Sequence, residues 1–241
     1  IDDQLRYLNL PRIKEIYQNA AQEASRKNLS HLQFLEYLLS EESSARFSRR
    51  VASYLKMAQI PRLKTIDAFD WAFPRKIPKQ RILGLLDLKF VPEKTNVIFL
   101  GPAGTGKSHF AQAIAYLACL AGISTRFATA IEIINQLNAA MCDKSFLQAL
   151  SRFTKPDLLV VDEIGFLPVD KQGADLLFQV ISARYERGSV IVTSNRDFKE
   201  WGKIFNNDNT IAAALIDRLA HHSDVIIIDG DSYRMKDKEK D

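Results

Sequence analysis

The sequence predicts an α/β fold: a parallel β-sheet covered by helices on both faces, preceded by a small all-helical segment. Apolar runs rich in β-branched residues recur in the second part of the chain, at 97–100, 158–161, 190–192 and 225–228, with a shorter candidate at 125–129. Helical patterns separate these runs, as expected for strand–helix–strand units. The runs lack polar alternation, which is typical of strands buried on both faces of a parallel sheet.

Helical patterns also set the predicted boundaries along the chain. In the sheet-forming part we expect helices over 107–121, about 131–141, about 145–153, 172–186 and 209–221. Before it, Pro11 starts a predicted helix, Ser30 caps the next one, and a further helix is expected near 43–57. The predicted division is a helical N-terminal domain (1–60), a connector (61–81), an α/β domain (82–235) and a polar tail (236–241).

Composition restricts the class of protein. The chain has 241 residues, of which 46% are hydrophobic and 26% charged, values that exclude an intrinsically disordered chain and a collagen-like repeat. No apolar run reaches the roughly 18 residues of a membrane span, so we expect no membrane partner. The two cysteines, Cys119 and Cys142, lie in apolar helical stretches and are predicted to be reduced core thiols of a cytoplasmic protein.

Positive charge is concentrated in the first third of the chain. Residues 1–81 hold 15 Lys and Arg against 9 Asp and Glu (15 − 9 = +6), whereas residues 82–241 hold 18 against 20 (18 − 20 = −2). Such an excess favours a polyanionic partner such as nucleic acid, although a solvated helical surface explains the charge equally well. The predicted DNA contacts share one side of the helix near 43–57: Arg46, Arg49, Arg50 and Lys56.

A phosphate-binding motif follows the first predicted strand. The segment 101–108 matches the G-x-x-x-x-G-K-S pattern of a P-loop, with the residues Gly101, Pro102, Ala103, Gly104, Thr105, Gly106, Lys107 and Ser108. The glycines let backbone N–H groups point at phosphate oxygens, and the next helix adds the positive end of its dipole. We expect Lys107 to contact the β- and γ-phosphates of ATP and the Ser108 hydroxyl to ligate Mg²⁺.

Two carboxylates follow the apolar run at 158–161. Four apolar residues before an acid form a Walker B arrangement, in which Asp162 would hold Mg²⁺ at the carboxyl end of the strand. The adjacent Glu163 can polarise the water that attacks the γ-phosphate. Alone, the two acids could equally cap a loop, but beside a P-loop they predict a site that hydrolyses ATP.

Three more polar residues are candidates for the same site. Asn195 follows the predicted strand at 190–192 and can hydrogen-bond both the attacking water and a γ-phosphate oxygen. Arg218 and Arg234 are candidates to neutralise charge at the γ-phosphate. From the residues alone, Asn195 could instead begin a turn, and either arginine could form a surface salt bridge.

Together these segments resemble the IstB family, the ATPase helpers of a class of insertion-sequence transposases. The resemblance is carried by GPAGTGKS, LLVVDEIGFLPVD, ISARYERGSVIVTSNRDFKEW and AAALIDRLAHHSDVIIIDGDSYR, within about 90–235. The N-terminal RYLNLPRIKEIY is similar too. The DEIG-x-LP, RYERGS and GDSYR segments are much more specific than a P-loop alone. IstB proteins belong to the AAA+ superfamily, in the clade of initiators and DnaC-type helicase loaders.

The resemblance implies an AAA+ P-loop ATPase domain whose parallel five-stranded sheet has the order 5-1-4-3-2. Asn195 would be the sensor 1 residue, Arg218 an arginine finger acting on the ATP of a neighbouring subunit, and Arg234 a second sensor. The implied partners are duplex DNA, an IstA-type transposase and further copies of the chain, assembling with ATP and DNA. The implied location is the bacterial cytoplasm, at the nucleoid.

The predicted function is ATP-dependent DNA binding that supports a transposase, with hydrolysis of ATP to ADP and phosphate. The nearest alternative is a DnaC-type replicative helicase loader, which shares every ATPase residue named above. Two others are a nucleotide-gated DNA scaffold that does not hydrolyse ATP and a metabolic P-loop kinase. Glu163 argues against the scaffold, and a kinase would need a substrate-binding lid for which the sequence shows no pattern.

Overall fold

The computed structural model describes residues 1–73 and 76–233, and the chain divides into two compact units, 1–53 and 54–241. The first unit holds the helices α1 (Asp2–Tyr7) and α2 (Pro11–Arg26) and most of α3 (His31–Ala58). Its core is small and includes Ile13, Ala20 and Leu38. The buried Glu42 accepts hydrogen bonds from the backbone N–H groups of Arg12 (2.8 Å) and Ile13 (3.1 Å), so α3 caps the start of α2.

The helix predicted to begin after Ser30 continues without the expected break. Ser30 caps it as predicted, because its hydroxyl accepts the Gln33 N–H at 3.3 Å. The separate helix predicted near 43–57 is wrong, since α3 runs unbroken to Ala58. No glycine or proline lies between 31 and 58 to end it, and the Ser40 hydroxyl turns back to the Tyr37 carbonyl at 2.8 Å.

The second unit contains a five-stranded sheet and the remaining helices. The strands are β1 (Asn96–Leu100), β2 (Thr125–Thr129), β3 (Leu158–Ile164), β4 (Ser189–Ser194) and β5 (Ser223–Ile227). The helices are α4 (Lys79–Gly84), α5 (Lys107–Leu120), α6 (Ala130–Cys142), α7 (Phe146–Thr154), α8 (Lys171–Arg184), α9 (Trp201–Ile204) and α10 (Asn209–Ala220). All strand pairs are parallel, and the order β2-β3-β4-β1-β5 is the predicted 5-1-4-3-2 seen from the other edge.

Both faces of the sheet are covered, as the unbroken apolar runs predict. Alternate residues of β1 enter different cores: Val97 and Phe99 pack with Phe110 of α5, whereas Ile98 and Leu100 pack with residues of α6, α8 and α10. Because β1 lies between β4 and β5, the loop after it emerges near the middle of the carboxyl edge of the sheet. Crevices at this edge are where open α/β sheets bind ligands.

The two cysteines have different environments. Cys119 is fully buried in α5, as predicted, and burial raises the pKa of its thiol above the ordinary value. The prediction that Cys142 is a core thiol is wrong, because its side chain is exposed. It ends α6 two positions after the buried Ala140, which turns it onto the outer face of the helix.

Among the described residues, no helix combines the length and the apolar character needed to cross a membrane.

Candidate functional site

The segment 101–108 forms the turn between β1 and α5. Gly106 has φ 99°, and a side chain there would meet the Phe69 ring, since a Cβ atom would lie 2.4 Å from its nearest carbon. Gly104 has φ 82°, and a Cβ atom there would lie 2.0 Å from the Ser232 hydroxyl oxygen. Only glycine combines this left-handed backbone with such close neighbours, which explains the two positions of the motif.

The first turn of α5 begins without a side-chain cap. Gly106 is its N-cap and supplies no side-chain hydrogen bond, and the amino end of a helix carries the positive end of the helix dipole, which attracts anions. Lys107 is the first helical residue and is buried, with its Nζ donating to the Pro102 carbonyl at 2.6 Å. The Thr105 hydroxyl donates to the same carbonyl at 2.9 Å. The turn therefore places a buried ammonium group beside a helix N-terminus.

Ser108 and Asp162, the two residues predicted to hold Mg²⁺, are in contact. The Ser108 hydroxyl donates to Asp162 Oδ1 at 2.8 Å, although β3 and β1 are separated by β4. Asp162 is only 5% exposed. Two oxygens that share an octahedral Mg²⁺ at about 2.1 Å lie about 3 Å apart, so this pair has the spacing and the hard oxygen chemistry of a magnesium site.

Glu163 leaves the regular geometry of β3. It has φ 61°, and the register between β3 and β4 shifts between Val161 and Ile164. The shift lets both Asp162 and Glu163 line one cavity, whereas successive residues of a regular strand face opposite sides. Thr193 of β4 holds this bend, because its hydroxyl accepts the Glu163 N–H at 3.0 Å and donates to Asp162 Oδ1.

These groups share one cavity of about 680 Å³. Its wall includes Gly104–Ser108, Asp162 and Glu163, together with Phe127, Thr129 and Glu132 from β2 and α6. Tyr233 completes the wall, and its N–H donates to the Gly104 carbonyl at 3.1 Å. A cavity of this size is within the range that holds small-molecule ligands.

The predicted connector supplies wall residues that are not among the predicted site residues. Ala68, Phe69 and other residues between 59 and 73 line the cavity, so the predicted connector forms part of the site. Phe69 packs against Phe110 of α5, with ring centroids 4.3 Å apart. His109 Nε2 donates to the Thr65 carbonyl at 2.8 Å, and burial lowers the pKa of His109. The aromatic spacing at 69, 71 and 73 is the one sequence signal that could have revealed this wall.

Asn195 lies at the predicted edge but not in the cavity wall. It directly follows β4, beside Gly101, whose N–H donates to the Ser194 carbonyl at 3.2 Å. Its side chain is exposed and does not line the cavity. Gly101, Pro102 and Ala103 also lie outside the lining, on the strand side of the turn. The predicted role of Asn195 stays a prediction.

Arg218 lies at the other end of the sheet. Its guanidinium stacks over the Phe178 ring at 4.6 Å and donates to the Ala214 carbonyl at 3.1 Å. The next residue, Leu219, accepts a hydrogen bond from the side chain of Asn96, which begins β1. The five residues of β1 span about 13 Å. The P-loop begins at the opposite end of this strand from Asn96. Arg234, the second candidate arginine, lies outside the described residues.

The four predicted DNA contacts on α3 have different neighbours. Arg49 pairs with Glu42 at 3.0 Å, and Arg46 lies 3.9 Å from the same carboxylate and donates to the Asn9 carbonyl at 2.8 Å. Arg50 stacks over the Phe47 ring at 5.2 Å. Lys56 is exposed. The charges of Arg46 and Arg49 are therefore partly compensated locally, whereas Arg50 and Lys56 are exposed cations.

The fold resembles the folds of two solved structures. The structure resembles the crystal structure of DnaI with a TM-score of 0.58 and 18% identity, over 72% of this chain and 93% of that one. It resembles AMPPCP-bound DnaA from Aquifex aeolicus with a TM-score of 0.57 and 19% identity, over 73% and 54%. The α/β domain therefore has the fold of DnaI and DnaA, with a P-loop at the carboxyl end of its β1 strand.

The family follows from sequence. The model of the IstB-like ATP binding protein family matches residues 3–241. The chain is 40% identical to an ATP-binding protein of insertion sequence IS5376 from Geobacillus stearothermophilus, over 96% of the chain and 92% of the relative. It is 38% identical to one of IS21 from Pseudomonas aeruginosa, over 91% and 82%. The chain belongs to the IstB-like ATP-binding protein family.

Proposed function

We propose that this protein binds and hydrolyses ATP with Mg²⁺, and that ATP binding drives its assembly on duplex DNA in support of an insertion-sequence transposase. The observation that carries the proposal is the convergence of Lys107, Ser108, Asp162 and Glu163 on one cavity. Membership of the family and the names of its insertion-sequence relatives support the ATP and transposition parts.

The phosphates of ATP would lie against the first turn of α5. Lys107 is already buried, so its ammonium group would meet the β- and γ-phosphates in a medium where charge attraction is stronger than in water. The uncapped N–H groups of the turn would add hydrogen bonds without any further ordering of the backbone.

Ser108 and Asp162 would hold the magnesium ion. When bound, Mg²⁺ neutralises charge that develops on the phosphate oxygens. Thr193 keeps the Asp162 carboxylate oriented toward Ser108 through its hydroxyl. Both oxygens are thereby positioned before any ligand arrives.

Glu163 would act as the general base. Its left-handed backbone brings the carboxylate to the same cavity as Lys107 and Asp162, where it can accept a proton from a water that attacks the γ-phosphate. Attack in line with the bond to the β-phosphate releases ADP and inorganic phosphate. Aspartate at this position would place the carboxylate one methylene further from that water.

Arg218 would serve a neighbouring subunit. Since it lies at the amino end of the sheet, a role at the γ-phosphate requires the ATP of another copy of the chain. Loss of the γ-phosphate would remove the anionic partner of Arg218 and weaken the subunit contact. The strength of assembly would thus depend on whether the bound nucleotide still has its γ-phosphate.

Helix α3 offers surfaces for both partners. Arg50 and Lys56 are exposed cations that can contact DNA phosphates, and several linked copies would gain avidity from contacts that are weak singly. α3 also exposes Leu32, Leu35 and Leu39, with 78%, 51% and 51% of each residue accessible. A transposase that covers these leucines would bury apolar surface that is otherwise in water.

The deciding experiment replaces Glu163 with glutamine. Glu163→Gln keeps the size and the hydrogen-bonding reach of the side chain but removes its basicity. We expect ATP affinity within about twofold of the wild type and a loss of hydrolysis of at least about 100-fold. The matched control is Glu93→Gln, an exposed glutamate outside the cavity wall, which should leave both quantities unchanged. Hydrolysis by Glu163→Gln at the wild-type rate would refute the assignment.

A further inference from the structure

A second group of potential ligands lies at the amino edge of the sheet. His221 and His222 follow α10, and Glu186 lies in the loop between α8 and β4. One ligand atom from each of the three side chains lies within 4.8 Å of the other two, and all three residues are exposed. Over residues 1–73 and 76–233, no other trio of histidine, cysteine or carboxylate side chains converges in this way.

We propose that His221, His222 and Glu186 form a binding site for a transition-metal ion of the Zn²⁺ type. Two imidazole nitrogens and one carboxylate oxygen are a ligand set that suits Zn²⁺, Co²⁺ and Ni²⁺, whereas Mg²⁺ and Ca²⁺ prefer oxygen ligands alone. The site is thus chemically distinct from the Ser108–Asp162 pair. It also does not depend on the proposed ATPase function.

The hydrogen bond of His221 orients its ring for a metal. Its Nδ1 lies 2.6 Å from the Tyr185 hydroxyl, and the two rings are stacked with an interplanar angle of 21°. When Nδ1–H donates to that hydroxyl, the lone pair of Nε2 is left for a ligand. Metal-binding histidines generally have such a partner on the other ring nitrogen.

The other two ligands are already close together. Nε2 of His222 lies 3.7 Å from a carboxylate oxygen of Glu186, and the His221 and His222 rings have centroids 4.2 Å apart. Ligands of a tetrahedral Zn²⁺ with bonds of about 2.0–2.1 Å lie about 3.3 Å apart. The ligand atoms, which lie within 4.8 Å of one another, would have to approach by up to about 1.5 Å, and all three side chains are exposed.

The backbone that carries the ligands is fixed by Asn96. This buried residue begins β1, between β4 and β5. Its N–H donates to the His222 carbonyl at 2.7 Å, its side-chain amide donates to the Leu219 carbonyl at 3.0 Å, and its side-chain oxygen accepts the Val190 N–H at 2.9 Å. Asn96 therefore sets the distance between the two loops, so a metal would find the ligands largely preorganised.

The test is titration of the full chain, without a histidine tag and after treatment with EDTA, with ZnCl₂ in a calorimeter. No nucleotide is added, so the outcome is independent of ATP binding. We expect one equivalent bound per chain and a melting temperature that rises with zinc. His222→Ala and Glu186→Gln should each weaken binding at least about tenfold. Co²⁺ should give visible absorption bands in the wild type that both variants lose.

The control is His31→Ala, an exposed histidine at the start of α3, which should bind zinc like the wild type. Each variant should melt at the wild-type temperature in EDTA, which separates lost ligands from a lost fold. A wild type with no saturable zinc binding would overturn the proposal. Binding that survives both His222→Ala and Glu186→Gln would overturn it too.

Discussion

The hydroxyl of Thr193 holds the two acidic residues of the candidate site, Asp162 and Glu163, in place. It accepts the N–H of Glu163 at 3.0 Å and donates to Asp162, so it fastens both residues to the neighbouring strand. Replacing Thr193 with valine keeps the shape of the side chain and removes both hydrogen bonds. The perturbation acts on the backbone bend at Glu163 and on the orientation of the Asp162 carboxylate, and it changes no residue of the P-loop.

The expected fall in kcat follows from the geometry of that bend. A left-handed backbone at a residue with a side chain costs about 1–2 kcal/mol, and Glu163 has φ 61°. A hydrogen bond contributes a similar amount, so without it the bend relaxes and the productive position of Glu163 is less populated. At about 1.4 kcal/mol per factor of ten, kcat should fall about 5- to 30-fold. The KM for ATP should stay within about twofold, because Lys107 is untouched.

The assay is steady-state release of phosphate, combined with urea unfolding of each variant. The control is Thr125→Val, because Thr125 is also a buried strand threonine, and its hydroxyl donates to the Ile123 carbonyl at 3.2 Å, on an edge strand. Thr125→Val should keep the wild-type kcat. If Thr193→Val is folded and also keeps the wild-type kcat, the proposed positioning of Glu163 is refuted.

Lys107→Ala should abolish binding of a fluorescent ATP analogue, and retained affinity would count against the phosphate assignment. Mixing Arg218→Ala with Lys107→Ala subunits should restore part of the ATPase activity, since some interfaces then contain an intact site; no rescue in confirmed mixed assemblies would contradict action in trans. Arg184→Met should lower the free energy of unfolding in urea by about 3–5 kcal/mol, because five backbone carbonyls lose the buried guanidinium that donates hydrogen bonds to them. A loss below about 1 kcal/mol would contradict this prediction. Changing Arg50 and Lys56 together to glutamine should weaken duplex binding, measured by fluorescence anisotropy. The slope of log affinity against log salt concentration should fall by the equivalent of about two phosphate contacts. An unchanged slope would exclude the two residues as contacts.

The sheet was predictable because its strands are buried on both faces. Runs such as 158–161 contain only apolar residues, and nothing but a central strand or a buried helix has that pattern. The order of the strands could not be predicted from these patterns, because neither composition nor spacing specifies it. The order 5-1-4-3-2 is an implication of the family resemblance, and the structure confirms it.

The candidate site was only partly predictable. The P-loop and the two acids follow from local patterns, because the P-loop directly follows β1 and the two acids directly follow the apolar run of β3. The wall formed by Ala68 and Phe69 does not, since it depends on how the segment before the domain packs on α5. The bend at Glu163 depends on a hydroxyl of another strand, Thr193, which lies 30 positions further along the chain.

The first residue of the RYERGS segment has a structural role. This residue, Arg184, is 1% exposed and donates to carbonyls of 153, 154, 156, 157 and 189. Burial lowers its pKa to about 10, so it still carries its charge at neutral pH. The guanidinium fastens the end of α7 to the start of β4. At Arg184, the specificity of the sequence therefore indicates a buried polar anchor rather than a ligand contact.

The most direct test of the proposed function is the mass and the duplex affinity of the Glu163→Gln protein with and without ATP. Sedimentation reports the mass, and anisotropy of labelled duplex reports the affinity at fixed salt concentration. We expect ATP and DNA together to convert monomers into an oligomer and to tighten duplex binding at least about tenfold through linked contacts. A protein that stays monomeric and binds the duplex equally well in both conditions would contradict the proposed coupling of nucleotide to assembly.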